Sequence, residues 1–306
     1  MTMFLYGLAV FFVYFLFPRD LFAWGPGAHM TYALYALTQI SVLAPAIAAL
    51  LEKYPKAFLY GTIAADIIFG KKFAGELYHC HHWDVALPLL DKTDNDEERA
   101  FIYGYLGHLA VDTVAHNFYV PYKIIYSYRA LTLRHTYWEM RFDEKMDRKV
   151  WHTLEEIGGK DFTDLDRFLE KNLKRTLFSF STNKRIFDSL LLVQRMHRWQ
   201  KASALLARRS AFELSDSEVR SIKQLCCDVL VEFLQGPDRA RVLQADPSGK
   251  LKLLYAREMV KDLRSYRRRR LLGCPEADEF IGEIRKKLRE NLYRPGDLPL
   301  ITDAVH

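Results

Sequence analysis

The chain has 306 residues, 50% of them hydrophobic and 27% charged, a mixture that buries a sizeable core and excludes a disordered tail. Lys and Arg number 44 against 38 Asp and Glu, and the net charge of +6 favours anionic partners: nucleic acid, anionic lipid or phosphate esters. Four cysteines without CxxC spacing, 15 glycines and 11 prolines exclude a disulfide framework and a linker-dominated chain.

The chain opens with an apolar run over 3–17, followed by Pro18-Arg19-Asp20 and by a small residue, Ala23, just before Trp24. A run of about 15 suits a secretory leader better than a full span, which needs about 20. Residues 1–23 are therefore expected to be a signal peptide cleaved after Ala23 or, if retained, an N-terminal membrane anchor. Cleavage would export the protein, periplasmic or secreted, and give Trp24 a free α-amine.

Beyond Trp24, apolar residues recur at three- and four-residue spacing over 28–51, 97–120, 124–151 and 162–180, which predicts helices. A turn at Val120-Pro121 is expected to fold the 124–151 helix back against its predecessor. Asp161 and Ser215 have N-cap chemistry, and Gly236-Pro237 and Asp246-Pro247-Ser248-Gly249 mark turns. The class is all-α. Seven of the ten histidines fall between His29 and His135, which places the chemistry in a core over 24–155. Residues 156–306 form a helical region without an assigned role, and its Arg208-Arg209 and Arg267–Arg270 stretches suit a solvated face or an anionic membrane surface.

His108-Leu-Ala-Val-Asp112-Thr-Val-Ala-His116 sets three metal-competent side chains at i, i+4 and i+8, each offset by roughly 40° around a helix, so all three share one face. Burying a carboxylate and two imidazoles without partners costs several kcal/mol, and a cation offsets that cost. His135-Thr-Tyr-Trp-Glu139 repeats the arrangement on the next helix, so the two stripes can face each other across a bundle. Upstream, His79-Cys80-His81-His82-Trp83 is dense in ligand types, of which one or two can reach an ion. Asp66 is a lone charge in an apolar run, and His29 follows the flexible Trp24-Gly-Pro-Gly-Ala. With a terminal amine, this donor set suits two or three ions sharing one carboxylate, and clustered ions point to phosphoester hydrolysis.

Taken in order from Trp24 to Glu139, these residues resemble the zinc-dependent phospholipase C and P1-type nuclease superfamily, an all-helical fold with three zinc ions. The Trp-Gly-x-x-x-His opening is similar to the nuclease side, and HLAVDTVAH followed by HTYWE to the phospholipase side. The resemblance implies one zinc on Asp66, His108, Asp112 and one histidine of 79–82, with His82 preferred because it precedes Trp83 and His81 the close alternative. It implies a second zinc on the Trp24 amine and carbonyl with His29, bridged by Asp112, and a third on His116, His135 and Glu139. Asp66 doubles as general base in that reading. The substrate expected is a phospholipid, with single-stranded nucleic acid as the alternative. A further alternative is a membrane-associated helical protein whose metals only stabilise it, and no protein partner is inferred.

Overall fold

A computed structural model describes residues 24–67, 81–130, 135–173 and 212–304. Among the described residues there is no strand, and no helix is long and apolar enough to cross a membrane. The expected leader over 1–23, His79, Cys80, Arg208 and Arg209 lie outside them.

The first three helices, α1 (Pro26–Thr38), α2 (Pro45–Lys53) and α3 (Pro55–Ala64), each open on a proline, whose missing N–H falls where no intrahelical acceptor exists. Proline also breaks the helix expected over 28–51. Ala44 is forced extended before Pro45, and a 3₁₀ turn at Ile40–Val42 separates α1 from α2. The short α4 (Trp83–Ala86) follows, and then α5 (Asp96–Val114), the central element. Asn95 caps α5 by accepting from Glu98 N at 2.9 Å, while Glu98 Oε2 accepts from Asp94 N at 2.7 Å. Acidic residues fill the first turn of α5, and almost every side chain after Arg99 is buried.

The expected turn at Val120-Pro121 is absent. Instead α5 runs through a π-helical turn, Ala115–Tyr119, into α6 (Val120–Tyr126), with Val120 N–H bonded to the Ala115 carbonyl five residues back. Pro121 is tolerated because it lies in the first turn of α6, where its lack of a donor is harmless. Helix α6 ends at Tyr126, and the helix expected over 124–151 is divided into α6, α7 (His135–Asp143) and α8 (Arg148–Gly158). The later helices are α9 (Thr163–Asn172), α10 (Asp216–Gln235), α11 (Lys250–Arg268) and α12 (Cys274–Glu290). Ser215 caps α10 by accepting from Glu218 N, and Asp161 Oδ1 accepts from Thr163 N at 2.9 Å.

Helices α3, α2 and α10 surround α5, while α11 and α12 pack on α6. The α3–α5 crossing is unusually close because Gly61 and Gly104 meet there: a Cβ on Gly61 would lie 2.0 Å from the Phe101 carbonyl oxygen. That proximity brings Asp66, in the turn after α3, beside His108 on α5. On the other side, the buried Lys123 ammonium of α6 meets Glu218 of α10 at 2.7 Å and lies over the rings of Tyr126 and Trp138, both at 4.8 Å.

Candidate metal centre

Helical spacing puts His108, Asp112 and His116 on one face of α5 and its π-helical extension, and all three are buried. Asp112 is the hub. Its Oδ1 lies 3.2 Å from His29 Nε2 of α1, and its Oδ2 lies 3.1 Å from His108 Nε2 and 3.5 Å from His81 Nε2. Asp66 Oδ1 lies 3.4 Å from His81 Nε2 and 3.8 Å from His108 Nε2, and the His81 and His108 Nε2 atoms are 3.0 Å apart. His29 stacks on His108 with ring centroids 3.8 Å apart. The donor atoms of His29, Asp66 and His108 converge within 4.8 Å of one another, as do those of His81, His108 and Asp112.

A separate group joins the two helices as expected. His135 Nε2 and Glu139 Oε1 on α7 are 2.5 Å apart, and with His116 they form a third buried convergence within 4.8 Å. The His116 and His135 rings meet edge to face at 5.1 Å.

Backbone carbonyls fix the tautomers. His108 Nδ1 donates to the Thr62 carbonyl at 2.8 Å and His116 Nδ1 to the Pro247 carbonyl at 2.6 Å. A carbonyl only accepts, so the proton in each neutral ring sits on Nδ1 and the Nε2 lone pair faces the cluster. Burial lowers the His29 and His116 pKa values, with the nearby His108 and His135 adding to it, so both rings are neutral and ready to ligate. Burial alone would raise Asp112, but the close approach of His108 and His29 outweighs it and holds the carboxyl well below its usual range.

The residues fit zinc on a direct observation. Both Asp112 oxygens and both His29 nitrogens are sealed from solvent and have no hydrogen-bond partner, although Asp112 Oδ1 lies 3.2 Å from His29 Nε2. An unsatisfied buried polar group costs about 1–3 kcal/mol, whereas lone pairs converging on one point are what a cation requires. The nitrogen and carboxylate donors, with no thiolate among them, suit a hydrolytic zinc.

One expectation changes. His81, not His82, joins the cluster: His82 is the extended N-cap of α4 and its Nδ1 lies 3.7 Å from Asp246 Oδ1, with a third of the side chain exposed. Neighbouring side chains on extended backbone point to opposite sides, so one inward histidine forces the next outward. Trp24 is fully buried, and its indole donates from Nε1 to the Val111 carbonyl at 3.0 Å and stacks on Tyr119 at 4.9 Å, which leaves the expected role of its main chain untouched. In the chain as written its nitrogen is an amide, and only removal of 1–23 makes it an amine.

The sequence also carries functional neighbours that motif reading passes over. The 245–249 segment braces the centre from the carboxyl-terminal half: besides the Pro247 bond, Asn117 Nδ2 donates to the Asp246 carbonyl at 2.8 Å and Trp83 Nε1 to the Ala245 carbonyl at 2.9 Å. Gly249, at φ +56°, packs so tightly that a Cβ would lie 2.3 Å from the His116 carbonyl oxygen. Asp143 of α7 accepts from Ala28 N at 2.6 Å and Gly27 N at 3.3 Å, and burial pushes its pKa up to about 7. It is the third member of the stripe His135, Glu139, Asp143, a signal the sequence does carry.

No curated protein and no solved structure matches the chain. The family model for zinc-dependent phospholipase C matches residues 28–187, just over half of the 306 residues. That segment contains every converging side chain from His29 to Glu139, and the all-helical architecture agrees with it. The chain belongs to the zinc-dependent phospholipase C family.

Proposed function

We propose that this protein is an exported phosphodiesterase that holds two to three zinc ions and cleaves the glycerol–phosphate bond of a phospholipid. The observation carrying the reading is the two-sided Asp112 carboxylate, with His29 on one oxygen and His108 and His81 on the other. That is the geometry of a bridging carboxylate. Asp66, His81, His108 and Asp112 would hold one ion, and His29 and Asp112 with the processed Trp24 terminus a second. His116, His135 and Glu139 would hold the third.

Bound there, zinc supplies Lewis acidity toward phosphoryl oxygens and a water acidic enough to attack near neutral pH. The chain's own groups do the rest. The Thr62 and Pro247 carbonyls keep the proton on Nδ1 of His108 and His116 and aim Nε2 inward. Asp112 stays ionised, and its negative charge balances part of the cationic load. Asp66, buried beside the His81–His108 pair, would serve as the general base, its carboxylate taking the proton of the attacking water. The role of the 245–249 segment in this reading is to brace the ligand-bearing core.

The test uses protein beginning at Trp24, assayed on phosphatidylcholine vesicles and on single-stranded DNA, with and without chelator. Zinc-dependent release of phosphocholine supports the proposal. Metal-dependent cleavage of DNA alone assigns a nuclease instead, and no turnover of either overturns the hydrolase. Amino-terminal sequencing of the exported protein checks processing: Trp24 as first residue is expected, and an intact leader removes the terminal amine from the ligand set.

A further inference from the structure

The buried carboxyl of Asp143 has no role in the ligand set, yet it sits where two metal-bearing helices meet. It extends the His135/Glu139 stripe of α7 by one more turn and, instead of reaching the cluster, caps the amino end of α1 through Gly27 N and Ala28 N. Helix α1 lacks a cap of its own: Gly25 offers no side chain, and its first turn carries no acid. The local glycines fit this use. A Cβ on Gly25 would lie 2.3 Å from Asp143 Cγ, and one on Gly27 3.0 Å from Asp143 Oδ1 and 2.9 Å from Trp151. Next to Asp143, Phe142 packs on the Trp24 indole with centroids 4.4 Å apart. Thus α7 grips Trp24 to Ala28, and the next residue is His29.

We infer that Asp143 is a positioning residue that ties the amino end of α1 to α7 and so sets His29, and the main chain at Trp24, in register with Asp112. The inference rests on the metal-centre reading above. It explains why the stripe on α7 continues past the last side chain that reaches the cluster. It also makes two of the three proposed ion sites depend on one helix: α7 supplies ligands to the third and holds the first residues of α1 for the second.

The experiment compares bound zinc per chain, by equilibrium dialysis and elemental analysis, in wild type, Asp143→Asn and Asp143→Leu, with circular dichroism as the check of folding. The Asn amide oxygen still accepts the short bond from Ala28 N and gives up only the longer one from Gly27 N, so that variant is expected to keep the wild-type complement. Leu fills the space without an acceptor and is expected to lose about one ion per chain while the other sites stay loaded. Cobalt substitution adds a spectroscopic readout, since loss of one ligand environment changes the visible absorption. Should the Leu variant not fold, Gly25→Ala decides, because it displaces the carboxyl without altering it. A Leu variant, or in its place the Ala variant, with the full ion complement overturns the inference even if its melting temperature falls. A wild type that binds no zinc overturns the phosphodiesterase reading as well.

Discussion

Replacing Gly104 by alanine tests whether the α3–α5 crossing sets the metal centre. The new Cβ would lie 2.1 Å from the Phe58 carbonyl oxygen and close to the Gly61 Cα, where ordinary contact begins near 3.4 Å. Both neighbours are backbone, so relief requires the helices to part by about 1 Å, an overpacking strain of about 1–3 kcal/mol. The same displacement separates Asp66, just beyond α3, from His108, four residues along α5, where Asp66 Oδ1 and His108 Nε2 now stand 3.8 Å apart. A misplacement of about 1 Å at reacting groups costs on the order of 10²-fold in rate. Urea denaturation and phosphodiester hydrolysis by the zinc-loaded variant measure the two effects. Wild-type turnover in a chain destabilised as calculated would refute the link between the crossing and the site, and an unchanged denaturation midpoint would refute the packing argument itself.

Three more outcomes follow from the geometry. His135→Gln removes a nitrogen donor from the His116/His135/Glu139 group and is expected to lower bound zinc by about one ion per chain with circular dichroism unchanged; undiminished zinc content would show that the group holds none. In metal-free protein, burial keeps the His29 and His116 pKa values below the ordinary 6.5, so the unfolded chain binds more protons in acid. Stability conferred by these rings is present above about pH 6.5 and lost as pH falls toward their lowered values, so the wild-type melting temperature should drop more steeply than that of His116→Gln between pH 7 and 5. Parallel curves would contradict that sign. Gly249→Ala combines a positive φ with a Cβ 2.3 Å from the His116 carbonyl oxygen, and the strain of about 1 kcal/mol or more should push the 245–249 turn off His116. A weakened zinc affinity with Pro247 unaltered is the expected result, and wild-type affinity would show the brace to be dispensable.

Much of the centre is legible because helical spacing is a rigid ruler. His108, Asp112 and His116 share a face whatever surrounds them, and so do His135 and Glu139. The choice between His81 and His82 is not legible, since it depends on which way an extended residue faces just before α4. Nor is the Pro247 carbonyl: every residue has a carbonyl, and only the fold decides which one meets His116. The π turn after α5 is hidden for a related reason, because Pro121 reads equally as a turn signal and as a first-turn helix residue. Asp143 is the opposite case, visible in the stripe but aimed at a backbone instead of an ion. The start of α2 follows from Pro45, a signal that an apolar spacing pattern overrides on paper and not in space.

The brace formed by residues 245–249 reaches beyond the end of the family match at residue 187. A shortened chain ending there would retain every side chain from His29 to Glu139, yet would lose the acceptor for His116 and the anchor for Trp83. Heredity of the motif and autonomy of the working unit therefore part company in this molecule: the sequence that marks the ancestry is shorter than the piece of polypeptide needed to keep its imidazoles aimed.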